Sequence, residues 1–296
     1  MSLVGLDGLN DAFGIDGVLR FDAGPGGLTR GVVQSSACEA EFYLHGAQVT
    51  RWRPAGHGEV LWLSPTAKFE GGRAIRGGIP VCFPWFGAHP DNGSAPSHGL
   101  ARIRPWDLRG TRRIGDVVEV DLGTYIAPWE CRLTASFGET LTVALEIRNA
   151  GDENAAFEAA LHTYLAVSDV EAVALSGLER APFIDMAAGR VRQNAEGAPL
   201  HLRGEVDRLY PNRSGLVTVH DESRLIEVDG GGARSTVVWN PGQERAARLA
   251  DLGEGWRQMV CVETANVAGD RVMLPRDGTW RMSTTIRPVS PKQATS

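Results

Sequence analysis

Along most of the chain the apolar positions recur every second residue. Val118, Val120 and Leu122 alternate with Glu119 and Asp121. Trp280, Met282, Thr284 and Ile286 alternate with Arg281, Ser283, Thr285 and Arg287. Successive side chains of a strand point to opposite faces, so this period predicts half-buried strands. Leu141, Val143, Leu145 and Ile147 share one face in the same way. A turn over 149–154 then predicts a long hairpin running to residue 169. On its return arm Phe157, Leu161 and Leu165 fall on one face, and Glu158, His162 and Tyr164 on the other. Two strands are predicted over 31–54 around a turn at His45-Gly46, followed by another over 59–65. Shorter strands fit 197–202, 207–212, 215–221, 224–230 and 235–241, and longer ones 257–267 and 279–289. Gly230 to Gly232 read as a hairpin turn.

Helical periodicity is scarce. One helix is predicted over 241–252, with Pro241 near its start and Gly253 after its end. Residues 3–17 are loosely patterned and are expected to be a short helix or an arm. The last residues, 290–296, are expected to fray. With 36 Gly and 16 Pro among 296 residues, turns are frequent. Neither linker nor internal repeat interrupts the pattern. The expectation is an all-β fold, one large antiparallel β-sandwich spanning 1–296 as a single domain.

Charge and cysteine content narrow the function classes. The net charge is −6 and no long basic run appears, which argues against a nucleic-acid surface. The four cysteines, at 38, 82, 131 and 261, are scattered, so disulfides and structural zinc are not expected. The first residues lack the basic start of a signal peptide, and no apolar run is long enough to span a membrane. A cytoplasmic protein is expected.

Residues 74–102, AIRGGIPVCFPWFGAHPDNGSAPSHGLAR, carry the densest chemistry. Four prolines and a double glycine make the stretch loop rather than regular structure. Corner-turning alone explains the prolines. It does not explain Arg76, Arg102 and His98 beside Phe83, Trp85 and Phe86. Neither arginine lies in a solvated charge run. Elsewhere, His162 taken alone reads as a buried or edge histidine bonded to a backbone carbonyl. Glu263 closes an apolar run after Met259 and Cys261, where a carboxylate is costly to bury without a partner or a task. Apolar surroundings would raise its pKa toward a general-base range. Asp207 sits in a strand-to-turn segment where an acid commonly caps or pairs. No nucleotide-binding glycine fingerprint and no G-x-S-x-G occurs, and the histidines lack metal-ligand spacing.

The strings IRGGIPVCFPWFG, SHGLAR, LHTYL, GEVDRLY, VVWNP and MVCVETANV occur in that order. Together they resemble the hexose-6-phosphate mutarotase (glucose-6-phosphate 1-epimerase) branch of the aldose 1-epimerase superfamily, from the first strands to the end. That resemblance implies a β-supersandwich and interconversion of the two anomers of a hexose 6-phosphate. By the same resemblance His162 matches the general acid that protonates the ring oxygen, and Glu263 the base that takes the C1-hydroxyl proton. His98 and Asp207 match groups that meet the ring oxygen and the hydroxyls. Arg76 and Arg102 match arginines near the substrate and its phosphate, with Arg51 and Arg73 as further candidates. One departure is Gly242, where the family often carries tryptophan. Ring opening and reclosure need proton transfers only, so no cofactor or metal is expected. The expected partner is a small-molecule hexose phosphate, with neither nucleic acid nor membrane, and the expected state is a monomer. An epimerase of unphosphorylated aldoses and a non-catalytic sugar-phosphate-binding module are the alternatives.

Overall fold

The two-residue period becomes two large antiparallel sheets. The computed structural model describes residues 5–222 and 224–290. A nine-stranded sheet runs, edge to edge, Leu200–His201, Ala174–Ser176, Val217–Asp221, Arg224–Gly231, Thr279–Val289, Leu141–Asn149, Trp129–Phe137, Val117–Ile126 and Asp107–Ile114. An eight-stranded sheet runs Val191–Gln193, Phe183–Asp185, Val206–Tyr210, Ser235–Asn240, Met259–Asn266, Ala159–Leu161 and Val81–Cys82, with Tyr164–Ala166 also paired to Met259–Asn266. A four-stranded meander, Leu19–Ala23 to Gln48–Pro54, precedes them. Val118, Val120, Leu122, Val143, Leu145, Met282 and Ile286 are all buried, as their alternation predicts, and join Val238, Val260 and Val262 of the other sheet in one apolar cluster. Burying that contiguous surface is the main driving force for the fold.

Several expectations need correction. The stretch 31–54, read as two strands, lies in three, Thr29–Gln34, Cys38–Tyr43 and Gln48–Pro54. The segment after the turn at 149–154 does not fold back on Leu141–Asn149. That strand pairs with Trp129–Phe137 and Thr279–Val289, while Ala159–Leu161 joins the other sheet beside Met259–Asn266. Residues 159–165 are buried throughout, so both faces are covered and the apparent alternation carries no hairpin. Gly230 to Gly232 likewise carry the chain from one sheet to the other, because Arg224–Gly231 pairs with Thr279–Val289 and Ser235–Asn240 with Met259–Asn266. The predicted helix over 241–252 shrinks to Gly242–Ala246, after which Arg248, Leu249 and Leu252 donate to carbonyls three residues back.

The run 59–65 makes only isolated bridges, Leu61 to Leu165 and Leu63 to Gly77. Near the start, Leu6–Phe13 is a helix whose Leu9 and Phe13 pack on the core, tied down by Asn10, which bonds both the N–H and the carbonyl of Phe21. The fraying expected for 290–296 falls, from 291 on, outside the described residues. The four cysteines are free and buried.

Candidate active site

The eight-stranded sheet has a second face, and register decides what stands on it. Asp207 lies opposite Trp239, Trp239 opposite Cys261, and Cys261 opposite Tyr164. One row along, Leu209, Val237 and Glu263 align. Paired residues point the same way, so these side chains share a face. Beneath them Cys82, Ala160, Leu209, Val237, Ala265 and Val267 form a separate small apolar cluster, with Phe86 packed against it. Glu263, paired with Val237, and His162, just after Leu161, stand beside that floor.

Glu263 Oε1 lies 3.3 Å from His162 Nε2, with both side chains almost fully buried. Their remaining polar atoms, Glu263 Oε2 and His162 Nδ1, have no protein partner. Burial pushes the Glu263 carboxyl well above its ordinary range. Asp207 pushes the same way and Arg102 opposes it. Burial drives His162 well below its ordinary value, helped by His98, Arg102 and Arg76. The His162 ring lies flat on Tyr164, centroids 4.8 Å apart at 9°, with Trp239 edge-on at 6.0 Å and His98 edge-on at 5.7 Å.

The loop over 74–102 forms the facing wall. Gly78 has φ +63°, and a Cβ there would sit 2.1 Å from the Val49 carbonyl oxygen; Gly99 has φ +78°, and its Cβ would meet the Phe83 oxygen at 2.1 Å. Only glycine tolerates either position. Buried Gln48 donates to the Ile75 and Gly77 carbonyls and holds the backbone around Arg76. Arg76 donates from Nη1 to the Tyr164 hydroxyl at 3.0 Å and from Nη2 to Asp251 at 3.1 Å. Arg102 donates to the Ser97 carbonyl at 2.8 Å and forms no ion pair among the described residues. The Nε of each arginine is buried and unpartnered.

His98 accepts from the Gly87 N–H at Nδ1, over 3.4 Å, and packs edge-on against Phe86. Burial, then Arg102 and Arg76, push it down to about 3, so it is neutral with Nε2 as its donor. Asp207 is raised to about 6 by burial and by Glu205 and Asp185, against Arg245, which stands 3.9 Å away. Glu158, on the sequence face of His162, turns elsewhere. It accepts from the Phe86 N–H at 3.0 Å and the Ala268 N–H at 2.7 Å.

Each of the six residues singled out by sequence therefore lies within electrostatic reach of at least one other. Arg51 and Arg73 do not join them, pairing instead with Glu59 at 2.6 Å and Glu70 at 3.0 Å. The Trp85 indole bonds the Pro96 carbonyl and meets the His89 ring edge-on. Tyr164, Trp239 and Asp251 had no assigned role. The first two were findable from register with His162 and Asp207, whereas Asp251 lies in a segment read as helix and gave no signal. At Gly242, φ is +61° and a Cβ would lie 2.6 Å from Glu205 N and Gly204 C, so tryptophan is excluded by this backbone.

No cluster of three metal-ligating side chains occurs among the described residues, and none of their helices is long and apolar enough to cross a membrane. A concavity of about 820 Å³ opens elsewhere, lined by residues that include Arg180, Arg192 and Arg213, and takes in none of the six.

The chain has known counterparts. The aldose 1-epimerase family model matches residues 32–287. Proteins named "Putative glucose-6-phosphate 1-epimerase" are 32% identical over 87% of this chain and 84% of the relative in Cenchrus ciliaris, and 35% identical over 79% and 82% in Escherichia coli. The crystal structure of the candidate mutarotase YeaD from Salmonella typhimurium superposes with a TM-score of 0.85 at 30% identity, covering 92% of this chain and 94% of that one. A galactose mutarotase related enzyme from Lactobacillus acidophilus, at 13% identity and a TM-score of 0.66, shares the fold. Sheet architecture and family match agree: the chain belongs to the aldose 1-epimerase family.

Proposed function

We propose that the chain interconverts the α and β anomers of a hexose 6-phosphate, with Glu263 as base and His162 as acid. The observation that carries this reading is the buried carboxyl of Glu263, half unpartnered, 3.3 Å from the His162 imidazole. Such a pair shares one titrating proton. It is electrically neutral as a whole whether that proton sits on histidine or on glutamate, so a buried site accommodates both forms. Glu263 as carboxylate takes the proton from the C1 hydroxyl, the C1–O5 bond breaks as C1=O1 forms, and His162 delivers its proton to O5. The proton has moved from histidine to glutamate through the sugar. After rotation about C1–C2, O5 attacks the other face of C1, His162 takes back the O5 proton, and Glu263 returns one to O1. O1 and O5 are borne on one carbon, which suits an acid and a base this close together.

Neutral His98 would donate from Nε2 to the ring oxygen or a neighbouring hydroxyl, and Asp207 would accept from hydroxyls. Arg102, which forms no ion pair among the described residues, is the cation best placed to meet a phosphate. The names of the plant and bacterial relatives support glucose 6-phosphate as the substrate. The reading takes the chain as one domain, acting as a monomer in the cytoplasm, which four free buried thiols support.

Anomer exchange of glucose 6-phosphate, followed by NMR, tests it. Wild type accelerates exchange, and Glu263→Gln and His162→Ala each lower kcat about 10²–10⁴-fold. Arg102→Ala lowers kcat/KM about 10- to 100-fold more for glucose 6-phosphate than for glucose. A preference for free glucose, insensitive to Arg102, would make the substrate an unphosphorylated aldose. Binding without exchange would make the protein a sugar-phosphate sensor.

A further inference from the structure

His162 lacks the usual means of fixing an imidazole. In many sites the second ring nitrogen donates to a carbonyl or carboxylate, which sets the ring's angle. Here Nδ1 has no protein partner, and the backbone N–H of His162 is spent on the Pro80 carbonyl. Beyond Glu263 at Nε2 and the edges of Trp239 and His98, the ring rests on the face of Tyr164, near parallel at 4.8 Å. Tyr164 is itself fixed from two sides. Trp62 stacks on it at 5.8 Å and 22°, and Arg76 Nη1 donates to its hydroxyl at 3.0 Å. The second nitrogen of that guanidinium is held by Asp251 at 3.1 Å, in a half-buried ion pair. Both ends of the fork are thereby committed, and Arg76 keeps only its buried Nε free of protein contacts. Arg102 has no such anchor. The two arginines thus differ in what restrains them.

We propose that Asp251 and Tyr164 are positioning residues, which fix the angle of the His162 imidazole through the chain Asp251–Arg76–Tyr164. The proposal rests on the reading of His162 as the proton donor, and it deepens that reading. Neither residue touches the reacting atoms. Asp251 orders the guanidinium, the guanidinium pins the phenol, and the phenol's ring is the shelf on which the imidazole lies. A tilt of the imidazole moves Nε2 away from O5, and misplacement on the ångström scale costs about 10²-fold in rate. Substrate contacts made by Arg102, Asp207 and His98 are untouched by such a tilt, so the loss falls on kcat.

Two measurements decide the matter. In steady-state kinetics Asp251→Asn lowers kcat about tenfold and Tyr164→Leu about 10²-fold, each with KM changed by less than about threefold. Asp251→Glu recovers most of the loss. Tyr164→Phe keeps the stack but frees the guanidinium, and it resembles Asp251→Asn; it also stands in for Tyr164→Leu if the latter does not fold. Independently of turnover, the ring protons of His162 lie over the Tyr164 face and resonate upfield in ¹³C-histidine-labelled protein. Tyr164→Leu abolishes that shift, and Asp251→Asn reduces it. If wild type shows no anomer exchange, the functional reading fails while the spectra still decide the chain of contacts. Folded Asp251→Asn and Tyr164→Phe proteins with wild-type kcat and unmoved His162 resonances would overturn the proposal. A loss confined to KM would reassign Asp251 to substrate binding.

Discussion

Two regions of the molecule concentrate arginines and acids, and they treat charge in opposite ways. On the four-stranded meander Arg20, Asp22, Arg30, Glu41, Arg51 and Glu59 form a ladder. Arg30 meets Asp22 at 2.9 Å and Glu41 at 3.1 Å, and Arg51 meets Glu41 at 3.5 Å and Glu59 at 2.6 Å. These charges are matched and partly solvated, although Glu59 keeps one buried oxygen, Oε2, without a partner. In the cleft Glu263, His162, Arg76 and Arg102 each keep a buried polar atom with no protein partner. An unpaired buried polar group costs about 1–3 kcal/mol, whereas an exposed ion pair contributes about 0–1 kcal/mol. The ladder is therefore close to neutral for stability, and the cleft is a liability to the fold that binding of a polar ligand can relieve. Residue type does not separate the two regions; pairing and burial do.

The strongest way to break this contrast is Glu263→Gln. Its activity should fall about 10²–10⁴-fold while Tm stays level or rises, because an amide is cheaper to bury than a carboxyl raised by desolvation. A clear drop in Tm would mean that the carboxyl is structural after all. Asp207 gives the next largest effect. Its pKa is raised to about 6, so the folded state holds the proton more tightly than the unfolded chain. The stabilisation is fully present below about pH 4 and is lost as pH rises through about 6. Asp207→Asn should flatten stability over that window, as measured by denaturant midpoints. An unchanged pH slope would place Asp207 in solvent. Smallest is Arg51→Ala in the ladder, which should cost less than about 1 kcal/mol, less still at high salt, and leave kinetics unchanged.

What the sequence made legible follows from the same physics. Alternation over 117–126 and 279–289 showed which side chains would be buried, since one face of each strand meets water and polar residues mark it. The motif strings marked all six cleft residues. The hairpin after residue 149 was misread because residues 159–165 are buried on both faces, and a strand with no wet face has no polar positions to give its partners away. Asp251 escaped notice for a different reason. Its importance lies in a contact with Arg76, 175 residues earlier, and neither the local pattern nor the residue type encodes a meeting so remote. Gly242 departs from the frequent tryptophan, and its backbone angle shows that the local chain path requires glycine.

Glu158 carries one last consequence. Its two oxygens grip the amides of Phe86 and Ala268, one on the wall that presents His98 and the other just beyond the strand that presents Glu263. A single carboxylate therefore staples wall to floor. The two cannot part at that corner without breaking two charge-assisted bonds at once.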